Sequence, residues 1–168
     1  MPVDPLAPTR LLFVCSGNIC RSPAAMELAR LWLTARGRTD VLCESCGTLR
    51  ITGEPAAPFT RQLLAERGGD LESYRSRPLS YFLLREAQLV VCMEQAHREI
   101  VRLELGGDTD LVSHGIHVVT EWHPEERYRD DAGLYDFVKA PLEEYRAGIE
   151  ELERCVTGML EEFFPQTP

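Results

Sequence analysis

Apolar positions along the chain fall into short continuous runs separated by longer stretches in which they recur every three or four residues. The first run, Leu11-Leu12-Phe13-Val14, has the length and uniformity of a strand buried on both faces. Ser22-Pro23 then reads as N-cap and first helical residue, and Met26, Leu28, Ala29, Leu31 and Trp32 carry helical spacing to Gly37. Further on, residues 41–45 predict a second strand and residues 58–68 a second helix, closed by Gly68-Gly69. Residues 79–86 predict a helix, 88–93 the clearest later strand, 94–105 a helix, 116–120 a fourth strand and 142–164 a long closing helix. Strands that alternate with helices call for right-handed crossovers and a parallel sheet covered on both sides. The pattern therefore predicts a doubly wound α/β domain with a four-stranded parallel sheet.

No internal repeat or low-complexity tract interrupts this pattern. The least regular stretch, residues 121–141, is rich in charge and turn residues and too long for an ordinary connection, which marks it as a candidate functional loop. Residues 1–9 are polar and hold three prolines, so they are expected to form a flexible N-terminal segment rather than a secretory signal. Residues 10–168 are expected to form one domain, since 168 residues at 44% apolar content suffice for one core. The longest apolar runs are strand-length, so no membrane span is expected.

Charge and cysteine usage narrow the functional classes. A formal charge of -9 argues against nucleic-acid binding, which needs a cationic surface. Six cysteines in a chain with no export signal point to a reducing compartment, and so to the cytoplasm.

The loop after the first strand reads Cys15-Ser16-Gly17-Asn18-Ile19-Cys20-Arg21-Ser22-Pro23. In a parallel α/β sheet, ligands bind outside the carboxyl ends of the strands, which is where this loop falls. The amides of Ser16, Gly17, Asn18, Ile19, Cys20, Arg21 and Ser22 can converge into an anion nest, with the positive end of a helix dipole behind it. Arg21 can lay a planar fork on two phosphate oxygens. The same field favours a thiolate at Cys15, and a hydroxyl at Ser22 can donate to that sulfur. Gly17 permits positive φ or close approach, while Asn18 tolerates a left-handed conformation and can tie the loop with its side chain. A bare Cys-x5-Arg is a weak signal; the full string between a strand and a helix is a specific one.

These residues resemble the low-molecular-weight protein tyrosine phosphatases, whose motif reads Val-Cys-x-Gly-Asn-x-Cys-Arg-Ser-Pro and is matched throughout by residues 14–23. Ser45-Cys46-Gly47-Thr48 is similar to the family's Ser-Ala-Gly-Thr segment. Ser76-Arg77 is similar to its Ala/Ser-Arg, and Leu89-Val90-Val91-Cys92-Met93-Glu94 to its third strand ending in Met-Asp/Glu. The resemblance implies a flavodoxin-like sheet of order 2-1-3-4 and hydrolysis of phosphotyrosine or other aryl phosphomonoesters through a cysteinyl-phosphate. It also implies a phosphorylated protein or small aryl phosphate as partner, and no metal or cofactor. Cys15 would attack phosphorus, Arg21 would clamp the phosphate, and an aspartate before the last helix would protonate the leaving group. Matching backward from Glu144-Tyr145-Arg146 selects Asp136, followed by Phe137, which lies where it can line an aryl pocket; the family's proline is missing there. Asp130 and Asp131 are alternatives, because the segment from Glu121 is longer than usual.

Three departures bear on this. Tyr74 stands where the family has histidine, so the polar network through Asn18, Ser22 and Ser45 must be completed differently. Leu49-Arg50-Ile51 replaces the family's aromatic wall. Arginine phosphatases that resemble the family carry threonine at the position of Ile19, whose branched apolar side chain tilts the expectation toward aryl phosphates. Two rival readings are thiol-coupled arsenate reduction and non-catalytic phosphate or phosphotyrosine binding. The first needs a later cysteine pair, and Cys92 has no partner about seven residues away. Cys43-x2-Cys46, His114-x2-His117 and His97 lack the companions of a metal site. Cys20 is either a reversible disulfide partner that protects Cys15 or loop packing.

Overall fold

In the computed structural model, residues 7–129 and 132–165 are described and form a sheet of order β2-β1-β3-β4 with every neighbouring pair parallel. The strands are β1 (Arg10–Cys15), β2 (Leu42–Gly47), β3 (Leu89–Cys92) and β4 (Ile116–Val118). The helices are α1 (Arg21–Ala35), α2 (Pro58–Ala65), α3 (Tyr81–Glu86), α4 (Gln95–Glu104) and α5 (Leu142–Phe163). Each strand and each of these helices overlaps an element expected from the hydrophobic pattern.

The central strands are apolar on both faces because both faces are covered. Leu11, Phe13, Leu89, Val91 and Met93 pack with residues of α1, α2 and α5. Their alternates Leu12, Val14, Val90 and Cys92 pack with residues of α3 and α4. Each such side chain contributes roughly 1.5–3 kcal/mol by leaving water. Since β2 lies on one side of β1 and β3 on the other, the strand order reverses at β1. The crevice beyond the carboxyl ends of β1 and β3 is therefore open for a ligand.

Several expectations need correction. Helix α1 begins at Arg21 with Cys20 as N-cap and has no side-chain cap, so Ser22 is not the cap and Pro23 is the third helical residue. The missing N–H of Pro23 costs nothing there, because the first amides of a helix have no intrahelical partner. The expected flexible segment 1–9 is anchored at its end. Residues 1–6 lie outside the described residues, but Ala7 is buried against the core, and the Thr9 N–H and hydroxyl both reach Gln88 Oε1, at 2.6 and 2.9 Å.

The long segment before α5 contains two short 3-10 turns, Val119–Trp122 and Glu126–Tyr128, and then returns to the end of β3. Gly133 pairs antiparallel with Glu94, and the Leu134 N–H donates to Met93 O at 2.8 Å. This return depends on glycine: Gly133 has φ 98°, and a Cβ there would sit 2.2 Å from Met93 O. Among the described residues, no helix is long and apolar enough to cross a membrane.

Candidate active site

The loop from Cys15 to Arg21 closes the carboxyl end of β1, and five of its carbonyls are turned away from its inner face. Cys15 O accepts the Thr48 N–H, Ser16 O the Leu49 N–H and Ile19 O the Ala57 N–H, at 3.0, 3.0 and 2.7 Å. Asn18 O accepts the Tyr74 hydroxyl at 2.7 Å, and Cys20 O the Ala24 N–H at 3.3 Å. In a trans peptide the N–H points opposite to the preceding carbonyl. Outward carbonyls at Cys15, Ser16, Asn18, Ile19 and Cys20 thus turn the amides of Ser16, Gly17, Ile19, Cys20 and Arg21 the other way. The remaining amide, Asn18 N–H, donates to Cys15 Sγ at 3.3 Å.

Asn18 is the centre of this arrangement. Fully buried at φ 56°, it donates through Nδ2 to Ser22 Oγ (2.8 Å) and Ser45 Oγ (3.0 Å) and accepts the Arg77 N–H on Oδ1 (2.9 Å). The left-handed residue of the loop is therefore Asn18, not Gly17. The glycine that the loop needs lies outside it: a Cβ on Gly47 would stand 2.7 Å from Ser16 O and 2.8 Å from Asn18 Cβ. Ser22 Oγ, having accepted from Asn18, lies 3.0 Å from Cys15 Sγ and 3.5 Å from Cys46 O, either of which can take its proton. This is why Ser22 does not cap α1. Tyr74 completes the network in place of histidine, because its hydroxyl spans Asn18 O and Ser45 Oγ (3.2 Å). Burial pushes the Tyr74 phenol well above its ordinary value, so it stays a donor.

Arg21 is 2% exposed. Its Nη1 donates to the Glu94 carboxylate and to Leu134 O (2.8 Å), and its Nη2 lies 3.8 Å from Asp136 Oδ2. Among the described residues its Nε–Nη2 edge carries no hydrogen bond. Asp136 is half exposed, and its Oδ1 accepts the Val138 N–H at 3.1 Å. Asp130 and Asp131 lie outside the described residues. Phe137 is not a pocket wall. It is 1% exposed, with its ring edge-on to Tyr145 at 4.9 Å, so it anchors the chain beside Asp136. It is apolar enough to be drawn into the core over α5, which no local signal marks.

Cys20 Sγ accepts the Tyr145 hydroxyl at 3.0 Å, and Tyr145 Oη lies 2.6 Å from Thr60 Oγ1. Burial pushes the Cys20 thiol up to about 12, which keeps it protonated. His97, in the first turn of α4, lies with Nε2 2.8 Å from Ser16 Oγ. The pattern along the chain assigned no role to Glu94, His97 or Tyr145. Only Glu94 had a signal, as an acid at the carboxyl end of a central strand.

A thiol held in an outward-carbonyl turn, beside a buried arginine at the switch point of a parallel sheet, places the chain among α/β proteins built to grip an oxyanion. It belongs to the low molecular weight phosphotyrosine protein phosphatase family, which matches residues 10–166. The chain is 34% identical over 92 residues to the probable low molecular weight protein-tyrosine-phosphatase EpsP of Ralstonia nicotianae. That match takes in 55% of this chain and spans only 60% of the relative's length. To the protein-arginine-phosphatase of Geobacillus stearothermophilus it is 27% identical over 164 residues, covering 92% of this chain and 95% of the relative. The crystal structure of a low molecular weight protein tyrosine phosphatase from T. tengcongensis superposes with a TM-score of 0.79 at 29% identity, over 91% of this chain and 98% of that one.

Proposed function

We propose that this protein hydrolyses phosphotyrosine or other aryl phosphomonoesters through a cysteinyl-phosphate intermediate. Cys15 Sγ attacks phosphorus and the P–O bond to the leaving group breaks. Asp136 supplies the proton that the departing oxygen takes up. The amides of the loop and the Nε–Nη2 edge of Arg21 hold the equatorial oxygens, while Glu94 and Leu134 O keep the guanidinium in place. Ser22 donates to the sulfur as it becomes the leaving group. Water then attacks phosphorus, Asp136 takes its proton, and the S–P bond breaks to release phosphate and the thiolate.

The observation that carries this reading is the set of outward carbonyls around Cys15 Sγ beside a buried, oriented Arg21. We assign the protein to the cytoplasm, where the six cysteines of this chain would stay reduced, with phosphorylated proteins or small aryl phosphates as substrates. The breadth of the match to an arginine phosphatase favours phosphoarginine as a second reading; Ile19 in the loop supports the first.

The test is turnover of p-nitrophenyl phosphate and of phosphoarginine by wild type and Cys15→Ser. Wild type is expected to prefer the aryl ester. Cys15→Ser is expected to fall below about a thousandth of that rate while still binding inorganic phosphate, since the loop and Arg21 remain. Appreciable turnover by the variant would remove Cys15 from the nucleophile's role.

A further inference from the structure

Helix α4 starts beside the phosphate loop, and two residues at its beginning reach into that loop. Glu94, at the N-cap, holds Arg21. His97, the third residue of the helix, is 2% exposed; its Nδ1 accepts the Glu94 N–H at 3.0 Å and its Nε2 lies 2.8 Å from Ser16 Oγ. A ring nitrogen that accepts a backbone N–H carries no proton, so the neutral imidazole has its hydrogen on Nε2. The direction of the second bond follows: Nε2–H donates and Ser16 Oγ accepts. Burial, and then the positive charge of Arg21, push His97 down to about 4, so this tautomer holds at neutral pH.

Ser16 is thereby held twice, since its backbone O is also taken by the Leu49 N–H at 3.0 Å. Its two flanking peptides are those whose amides, on Ser16 and Gly17, face away from the outward carbonyls of Cys15 and Ser16. Resting on the reading of this loop as a phosphate site, we propose that His97 is a positioning residue for oxyanion binding. One ring nitrogen fixes Ser16 and the amides beside it, while the other ties the ring to the Glu94 peptide, whose carboxylate aims Arg21. The ring thus joins the amide half of the anion site to its arginine half.

The test compares wild type, Ser16→Ala, His97→Ala, His97→Gln and the Ser16→Ala/His97→Ala double variant. Each is titrated with inorganic phosphate by calorimetry, assayed on p-nitrophenyl phosphate and melted. Each alanine variant is expected to weaken phosphate binding and raise KM by about five- to tenfold, with a smaller fall in kcat. The double variant is expected to be no weaker than the worse single one, because both changes remove the same bond. Only variants lacking His97 lose the helix cap as well as this bond, so Ser16→Ala is expected to lower the melting temperature less than His97→Ala. His97→Gln, with an acceptor for the Glu94 N–H and an N–H to offer Ser16, is expected to recover both affinity and melting temperature. Unchanged phosphate affinity in Ser16→Ala, or losses that multiply in the double variant, would overturn the proposal. A wild-type protein that binds no phosphate would sink the reading of the loop itself, and the proposal with it.

Discussion

Residues 15–22 and the segment that carries Asp136 meet at Arg21, and they are held in different ways. In the loop, Asn18 uses both amide hydrogens and its carbonyl oxygen, and Tyr74, Ser45 and Arg77 are drawn from later strands and loops to satisfy it. Among the described residues the segment has no comparable side-chain lattice around Asp136, whose carboxylate meets the Val138 N–H and stands 3.8 Å from Arg21. Its place is set by its neighbours: Gly133 against Glu94, Leu134 O on Arg21, and Phe137 in the core. The difference follows from the two tasks. Dipoles that stabilise developing charge act best when they need no reorganisation, so they are fixed. In the proposed mechanism a carboxyl passes a proton to one group and takes it from water, and the half exposure of Asp136 leaves it open to both.

The comparison predicts where a substitution hurts. Arg21→Lys is expected to have the largest effect here, lowering kcat/KM by about a thousandfold, because a point charge cannot keep the Glu94 and Leu134 contacts and still offer two parallel donors to phosphate. An active lysine variant would place the clamp elsewhere. Asp136→Asn comes next. It is expected to slow esters of poor leaving groups by about a hundredfold and to leave good leaving groups nearly unchanged, since only the former need a proton as the bond breaks. Equal losses on both classes in a leaving-group series would argue that Asp136 is not the acid. Tyr74→Phe is the mildest, expected to cost about five- to tenfold in kcat/KM by freeing Asn18 O, with Asn18 still held by its side chain. If Tyr74→Phe hurts more than Asp136→Asn on every substrate, the contrast between a rigid loop and an open acid is wrong.

Much of this was legible along the chain. The apolar runs at Leu11-Leu12-Phe13-Val14 and at residues 89–92 announced buried central strands, and the string from Cys15 to Pro23 announced the turn at the end of β1. Counting back from the start of α5 reached Asp136, which lies 3.8 Å from Arg21, while the alternatives Asp130 and Asp131 lie outside the described residues. The misreadings share one origin. Ser22 has the composition of a helix cap, but its hydroxyl is claimed by Asn18 and Cys15. Phe137 has the composition of a pocket wall, but α5 offers it a drier place.

The sequence by itself determined what depends on neighbours a few residues apart: the strands and helices, their alternation, the turn at Cys15 and the residue types able to bind and attack a phosphate. The tertiary structure decided which distant groups complete that turn. Tyr74 reaches back 56 residues to Asn18, His97 81 residues to Ser16, and Leu134 O 113 residues to Arg21. Periodicity and capping are local and repeat within a turn or a pleat, so they leave a trace in the order of residues. A hydrogen bond between residues brought together only by a parallel sheet and its crossovers leaves none, because the chain between the partners sets their distance through the whole fold.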